Sequence, residues 1–295
     1  MESESRRLLP SELYPAGYDD VVARFVTLKS GLRVRVVEAG DPGANPVVLV
    51  PGWGCGAWIF HEILPRLASS GFRAFAVELK GHGFSDKPDD PREYTVEAMR
   101  DHLAEILDAL ELKNVSLIGH SMGAAIAVQL SAVDTGRISS VIIAAPVGFA
   151  GVPGMGFFRF ITPAFALPAL QFLTTRFLIR TMLSVVYGSI RRASSRDVEE
   201  FYAPSQMPGF VRSLRYLLHE FDWHRTFPPL SIPTMAIFGS EDVLSPSRDA
   251  ADYPADPAIV VKGAGHVLFE EAPGVVNGAI TRFLRERVYI SNKHE

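Results

Sequence analysis

The sequence predicts an α/β fold, a mostly parallel, doubly wound sheet with flanking helices and an inserted helical cap. The first observation is a set of six short apolar runs, each typical of a strand buried on both faces of a parallel sheet. The second is that stretches with an apolar residue at every third or fourth position separate most of them, which indicates helices. The runs are residues 47–50, 73–77, 115–118, 141–145, 234–238 and 259–261.

The third observation is one long interval, residues 147–229, between two predicted strands. Connections in such folds are usually short, so this interval is predicted to be the cap. Residues 19–146 and 230–295 then form the core. No apolar run follows the arginine pair at residues 6–7, so the N-terminus does not resemble a secretory signal. Residues 1–18 are predicted to be a partly ordered N-terminal extension.

The other elements follow from their own patterns. Residues 23–28 and 32–38 alternate valine with arginine, which predicts a half-exposed hairpin at one edge of the sheet. Apolar residues recur at helical spacing in four further stretches. These predicted helices are residues 59–70, 96–110, 122–132 and 275–287.

The composition excludes several classes of function. The chain has 295 residues, of which 47% are hydrophobic, and a formal net charge of −4, so it lacks the basic excess that nucleic-acid binding needs. A single cysteine, Cys55, excludes an internal disulfide and favours a cytoplasmic location. The longest uncharged piece of the apolar region, residues 160–175, is shorter than the roughly 18 residues that suggest a membrane span.

Residues 119–123, Gly-His-Ser-Met-Gly, stand between a predicted strand and a predicted helix. Glycines on either side of Ser121 allow a tight turn that presents a strained serine with its hydroxyl exposed. A serine hydroxyl is a poor nucleophile and needs a base to take its proton and a third group to orient that base. Asp242 and His266 each follow a predicted strand, so both are expected at the same edge of the sheet as Ser121.

In these motifs and in the order Ser, Asp, His, the chain resembles the α/β-hydrolase fold family, particularly members with a helical cap after the sixth strand. The resemblance covers about residues 23–287. It implies that Ser121 is the nucleophile, that His266 is the general base and then acid, and that Asp242 fixes the imidazole tautomer. Neither a cofactor nor a metal is expected.

Alternatives remain open for the acid. Asp242 could instead cap a helix before Pro246, and the neighbouring Glu241 could be the acid. Asp222, just before Trp223, is a third candidate, because family members sometimes carry the acid after the preceding strand. His266 itself could be a structural histidine.

The resemblance also implies an oxyanion hole made of two backbone N–H groups, those of Trp53 and Met122. Met122 begins the helix after the serine, where free N–H groups favour negative charge. Family members usually carry His-Gly where this chain has Pro51-Gly52. Residues 78–85 resemble a structural turn of the family, with Glu78 in place of an aspartate and His82 within it.

Three other classes of function compete with this interpretation. Residues 52–57, GWGCGA, formally match a dinucleotide-binding fingerprint with Glu78 about twenty residues on, but bulky Trp53 stands where a pyrophosphate must approach. His219 and His224 are five positions apart, whereas a zinc-binding helix needs four. A non-catalytic ligand receptor would have no need of all three catalytic residue types.

The cap is apolar and, in sequence, cationic. Residues 135–196 contain no Asp or Glu. We expect a lid with its apolar face over a small hydrophobic substrate and its arginine heads in solvent, and, as a sharper hypothesis, peripheral contact with anionic lipid. The arginines are Arg137, Arg159, Arg176, Arg180, Arg191, Arg192 and Arg196.

A hydrophobic carboxylic ester is the expected substrate, with lactones, thioesters and carbon–carbon bonds left open by the resemblance. Epoxide hydrolases and haloalkane dehalogenases resemble this fold but need a carboxylate nucleophile, where this chain has Ser121.

Overall fold

The computed structural model describes residues 8–147, 154–223, 228–245 and 255–289. Within the predicted cap, residues 148–153 and 224–227 therefore lie outside the described residues. The same is true of His224 and Pro246, to which alternative roles were given above, and of the first seven residues of the predicted extension.

Eight strands form one sheet in the order β1-β2-β4-β3-β5-β6-β7-β8. The strands β3 to β8 are mutually parallel, and β1 and β2 form an antiparallel hairpin that joins β4. The strands are β1 Val21–Thr27, β2 Arg33–Ala39, β3 Asn45–Val50, β4 Phe72–Val77, β5 Val115–His120, β6 Ile138–Ala144, β7 Thr234–Gly239 and β8 Ala258–Val261.

The α-helices flank the sheet or lie in the long interval between β6 and β7. Those that follow strands of the sheet are α1 Ile63–Ser69, α2 Val96–Ala109, α3 Met122–Val133, α9 Leu268–Glu271 and α10 Pro273–Phe283. Those between β6 and β7 are α4 Met155–Ile161, α5 Leu167–Leu173, α6 Arg176–Val186, α7 Ser195–Ser205 and α8 Phe210–Glu220. The predicted α/β fold class, a mostly parallel sheet flanked by helices, is confirmed.

The central strands, β3 to β7, are buried on both faces because alternate residues of each strand pack into two separate cores. In β3, Val48 and Val50 join the core that contains α2 and α3, whereas Val47 and Leu49 join the core that contains α1 and α10. This alternation follows from the two-residue period of a strand. It explains why the central strands are apolar runs rather than alternating patterns.

Two predictions about individual elements were wrong. The run at residues 259–261 is not buried on both faces, because β8 is the outermost strand of the sheet and Val260 is 52% exposed. The single helix predicted over residues 59–70 is divided into a 3₁₀ turn, Ala57–Phe60, and α1.

The end of the N-terminal extension is more ordered than predicted. Leu13 and Tyr14 are buried, with 6% and 2% of their surface exposed. The backbone N–H of Tyr14 donates to Glu200 of α7 at 2.8 Å, and Arg35 of β2 donates to the carbonyl of Tyr14. This segment therefore joins the sheet to the inserted helices.

The inserted helices hold most of their arginines in specific contacts, so the expectation of arginine heads in solvent was largely wrong. Arg176 pairs with Glu199, Arg191 with Asp197 at 2.8 Å, and Arg196 with Glu200. The three carboxylates belong to α7 and are buried. The guanidinium of Arg159 donates to the carbonyls of Leu218 and Phe221, at 2.8 and 3.3 Å.

No single helix in the four described ranges has the length and apolar composition to cross a membrane. One pair of consecutive helical segments, Met155–Ile161 and Ala164–Leu173, reaches that length only together and is bent by 69° at the break.

Candidate active site

Ser121 lies at the junction of β5 and α3, with φ 54° and ψ −121°. A positive φ is strained for any residue with a Cβ. The neighbouring glycines make the turn possible, because a Cβ on Gly119 would overlap the backbone of Ala124, and one on Gly123 would overlap the carbonyl of Val50. The local sequence thus places the serine at the tip of a strand-to-helix elbow. The residue is more enclosed than the expected exposed hydroxyl, because only 6% of the surface of Ser121 is accessible.

The loops after β7 and β8 bring Asp242 and His266 together. Nδ1 of His266 lies 2.8 Å from Oδ2 of Asp242, and both residues are buried. Because a carboxylate only accepts, Nδ1 carries the proton and Nε2 is left free to accept one. The other oxygen of Asp242 accepts the N–H groups of Leu244 and Ser245, at 2.8 and 2.9 Å. The aspartate therefore both caps its own loop and orients the imidazole.

The other two candidate acids do not contact His266 through any hydrogen bond of the described residues. Glu241 accepts from the N–H and hydroxyl of Ser189, at 2.7 and 2.8 Å, and so joins β7 to the inserted segment. Asp222 lies after α8, in the insertion, and has interactions of its own. The geometry therefore favours Asp242 among the three.

His120 joins the serine elbow to the histidine loop. Its Nε2 donates to the carbonyl of His266 at 2.8 Å, and the two rings lie 4.9 Å apart. Burial, and secondarily the nearby imidazole of His266, lower the pKa of His120 to about 3, so the ring is neutral. Among the described residues no hydrogen bond joins the Ser121 hydroxyl to His266. Catalytic hydrogen bonds often shorten only when substrate binds.

The two candidate oxyanion donors belong to segments that adjoin Ser121. Met122 is the first residue of α3, whose first N–H groups have no acceptor within the helix. Trp53 follows β3, and its indole N–H donates to the carbonyl of Leu214 in α8 at 3.0 Å. A Cβ on Gly52 would lie 2.8 Å from the Cβ of Ser121, so the loop before Trp53 passes directly beside the serine.

The same contacts argue against a dinucleotide site at residues 52–57. Gly52 is needed for the close approach to Ser121, not to a pyrophosphate. Glu78, which would hold the ribose, instead accepts N–H groups of Ala57 and Phe84, at 3.1 and 2.7 Å, and pairs with Arg35. It is structural, as predicted for the turn that contains it.

His82, also predicted to be structural, is fully buried. Its Nδ1 lies 3.1 Å from the carbonyl of Lys80, and burial lowers the pKa of His82 to about 4. A neutral, enclosed ring of this kind supports a scaffold role.

Sequence reasoning missed Glu271, whose carboxylate accepts backbone N–H groups of the loop that contains His266. One of its oxygens accepts the N–H groups of Gly188 and Gly265, at 2.7 and 2.9 Å, and the other accepts that of Val267 at 3.0 Å. Gly265 and Val267 are the two neighbours of His266. The only signal in the sequence was a pair of acids a few positions beyond the histidine.

A second missed feature is a contact between three glycines from different segments. Gly239 ends β7, Gly265 precedes His266, and Gly188 follows α6 of the insertion. A Cβ on any one of them would overlap the backbone of the histidine loop or of the segment against it. In addition, the N–H of His266 donates to the carbonyl of Val186 at 2.8 Å. The insertion and the histidine loop therefore touch backbone to backbone.

A buried polar cluster lies next to this junction. Glu270 accepts a hydrogen bond from Tyr187 and lies 3.8 Å from Arg191, which also binds Asp197. Burial, and next the charge of Asp197, raise the pKa of Glu270 to about 8. Burial also raises the pKa of the Cys55 thiol to about 12, which makes that thiol a poor nucleophile.

The arrangement can support nucleophilic catalysis. It contains a strained serine, an imidazole with an oriented Nδ1 proton, a buried carboxylate and two backbone donors near the serine. Within the described ranges, no group of three or more His, Cys, Asp or Glu side chains could hold a metal ion.

Comparisons with known proteins agree with this architecture. The model of the alpha/beta hydrolase family matches residues 47–279. Epoxide hydrolase A of Mycobacterium tuberculosis is 26% identical, in an alignment that covers 86% of this chain and 95% of that protein.

Solved structures are similar over nearly the whole chain. The epoxide hydrolase CorEH superposes with a TM-score of 0.76 at 22% identity, over 90% of this chain and 99% of that one. A serine hydrolase involved in carbazole degradation superposes with a TM-score of 0.74 at 21% identity, over 90% of this chain and 100% of that one. At these identities the structural likeness concerns the fold alone.

Proposed function

The chain belongs to the alpha/beta hydrolase family, and from this premise we propose that it is a serine hydrolase that cleaves a hydrophobic carboxylic ester through an acyl-enzyme. The observation that carries the proposal is Ser121 at the strand-to-helix elbow with φ 54°. The Asp242 to His266 hydrogen bond of 2.8 Å supports it.

In the first half of the proposed reaction, Oγ of Ser121 attacks the ester carbonyl carbon while Nε2 of His266 takes the hydroxyl proton. The backbone N–H groups of Trp53 and Met122 stabilise the oxyanion that forms. The bond to the alkoxy group then breaks, and the alcohol leaves with the proton from His266. Asp242 stabilises the imidazolium while it exists.

In the second half, a water molecule gives a proton to His266 and its oxygen attacks the acyl carbon. The bond to Oγ breaks, the serine recovers the proton, and the acid is released. Each turnover thus consumes one ester and one water and leaves the enzyme unchanged.

Epoxide hydrolysis is the competing function, because the relative from Mycobacterium tuberculosis carries that name. The chemistry of Ser121 argues against it. A serine oxygen that opens an epoxide forms an ether, which has no carbonyl for water to attack, whereas a carboxylate forms an ester that water can hydrolyse. A serine at the elbow therefore favours acyl transfer.

The apolar character of the insertion favours a hydrophobic acyl or aromatic group in the substrate. Its α8 lies against the loop of Trp53 through the indole hydrogen bond to Leu214. The same helix contacts the 3₁₀ turn Pro91–Tyr94, where the hydroxyls of Tyr94 and Ser213 lie 2.7 Å apart. We therefore propose that the insertion is a cap over the serine. Lactones, thioesters and activated carbon–carbon bonds are substrates that the same three residues could process. The cytoplasmic location that we propose is supported by the single cysteine.

The test is labelling by a fluorophosphonate together with hydrolysis of p-nitrophenyl esters of graded chain length and of an aryl epoxide. We expect labelling and ester hydrolysis in the unchanged protein, a preference for medium or aromatic acyl groups, and loss of both in Ser121→Ala. Turnover of the epoxide without any labelling would contradict the proposal. The control Ser131→Ala removes a buried hydroxyl of α3 that donates to the carbonyl of Ala127 at 2.8 Å, and it should be labelled normally.

A further inference from the structure

Large apolar side chains are exposed in one part of the molecule far more than elsewhere. Of the 19 exposed large apolar side chains in the described residues, 12 lie between residues 157 and 190. Four phenylalanines, one from each consecutive helical segment, are at least 80% exposed: Phe160, Phe165, Phe172 and Phe177. We call these four residues the phenylalanine surface. An exposed apolar area of this extent on one subdomain indicates an interaction site.

The inner sides of these helices are already occupied, so the phenylalanines lie on sides that the described fold does not cover. In α6, Ile179 and Leu183 pack into the core that contains α1 and α10, while Phe177 and Met182 are exposed. Ile179 and Leu183 are four residues apart and share one side of the helix, whereas Phe177, two residues before Ile179, lies on the opposite side. In the same way α4 is held to α8 by Arg159, and its Phe160 is left outside.

The charges around the phenylalanine surface favour an anionic partner. Residues 135–196 contain no carboxylate side chain. Three arginines of this region pair with the buried acids of α7, as described above. Arg180 and Arg192 remain exposed, and among the described residues the contact of Arg180 is a hydrogen bond of 3.4 Å to Ser195. A second copy of the chain would oppose like charges, whereas anionic lipid headgroups would pair with them.

We propose that the phenylalanine surface inserts into the interface of an anionic lipid bilayer and holds the protein there. The segments are too short to cross: α4 and α5 have seven residues each, about 10 Å at 1.5 Å per residue, against a hydrocarbon core of about 30 Å. The 69° bend between them suits a surface position. Because α6 ends at the carbonyl that binds the His266 N–H, insertion would bring the candidate active site to the lipid side.

The test uses the full chain and vesicles of phosphatidylcholine, alone or with an equal part of phosphatidylglycerol, in a flotation assay at low and high salt. We expect binding to the mixed vesicles and weakening by salt. In Phe165→Ala with Phe172→Ala, apparent affinity should fall about a hundredfold, since one fully buried phenylalanine is worth about tenfold or more. The matched control is Phe25→Ala, an exposed phenylalanine (48%) on the edge strand β1, which should bind normally.

Each contrary result has a definite meaning. Absence of binding to mixed vesicles at low salt would overturn the proposal, and so would binding that the double substitution leaves unchanged. Equal binding to pure phosphatidylcholine would overturn the anionic preference. A dimer in light scattering that the double substitution dissociates, without vesicle binding, would identify a second copy as the partner and overturn the lipid proposal.

A second measurement does not depend on affinity. The three native tryptophans, Trp53, Trp58 and Trp223, are buried or half-buried, so Phe172→Trp adds a reporter in the surface itself. We expect brominated lipids to quench the variant's added fluorescence; absence of quenching in vesicle-bound protein would contradict insertion. The surface contains no candidate catalytic residue, so Ser121→Ala should bind vesicles like the unchanged protein, whatever the outcome for catalysis.

Discussion

Replacing Glu271 by glutamine is expected to lower kcat with little change in KM. The carboxylate accepts three backbone N–H groups, two of them from the residues on either side of His266. In glutamine one oxygen becomes an NH₂ donor. Whichever way the amide turns, that donor faces a backbone N–H. At least one hydrogen bond is therefore lost, and the remaining ones are no longer assisted by charge.

The magnitude follows from these contacts. A hydrogen bond to a charged group contributes about 1.5–3 kcal/mol, and an unpaired buried N–H costs a similar amount. If about 1–2 kcal/mol of the lost hydrogen-bond energy raises the activation free energy, because His266 is held less well in the transition state, kcat falls about 5- to 30-fold. We expect the rest to appear as a lower free energy of unfolding.

The assay is steady-state hydrolysis of a p-nitrophenyl ester beside the rate of fluorophosphonate labelling, with urea unfolding to measure stability. Glu241→Gln is the matched control, because Glu241 also joins the core to the insertion, through Ser189, but bonds to neither neighbour of His266. It should change kcat less than about twofold. If Glu271→Gln lowers stability alone, with kcat and labelling unchanged, the residue does not position the histidine.

Three further predictions follow from the same region. Asp242→Asn should lower kcat about 10³- to 10⁴-fold by placing an NH₂ group against Nδ1, and a loss of less than tenfold in ester hydrolysis would count against Asp242 as the acid. Burial, and next the charge of Asp197, raise the pKa of Glu270 from 4.5 to about 8, so the folded state keeps a proton that the unfolded state loses, and stability falls as pH rises through that range. From pH 5 to pH 8 the unchanged protein should therefore lose about 3 kcal/mol of unfolding free energy relative to Glu270→Gln. A difference between the two proteins that is the same at both pH values, measured by urea unfolding, would contradict this. Gly188→Ala should lower both stability and activity because its Cβ would overlap the backbone of the histidine loop, whereas Gly278→Ala in α10, with nothing within 4 Å, should be neutral or stabilising; equal unfolding free energies for the two would refute the close contact.

The parts of the structure that were predictable are those encoded locally. The elbow at Ser121 could be predicted because two glycines, a buried strand and a helix lie within a few residues of one another. The edge position of β8 could not be predicted. Its run of valine and isoleucine would be the same whether β8 had one adjacent strand in the sheet or two. Only the strand order, with β8 last, leaves Val260 exposed.

The parts that were not predictable depend on contacts between distant segments. Glu271 acts on Gly188, 83 positions earlier in the chain, and no local pattern links them. The arginines of the insertion were expected in solvent because residues 135–196 lack carboxylates, yet their partners begin at the next position, with Asp197 and then Glu199. Extending the charge pattern a few residues past the apolar region would have indicated the pairing.

The backbone contact between the insertion and the histidine loop limits how substrate can enter. His266 and Glu271 hold residues 186–188 at one end of the insertion, and moving that end would displace the imidazole from Asp242. We therefore expect the insertion to open by rotating about residues 186–188, which stay fixed. Substrate would then enter at the other end of the insertion, where α4 and α5 contact α8. A crosslink between residues 186–188 and the histidine loop should leave turnover intact, whereas a crosslink between α5 and α8 should abolish it.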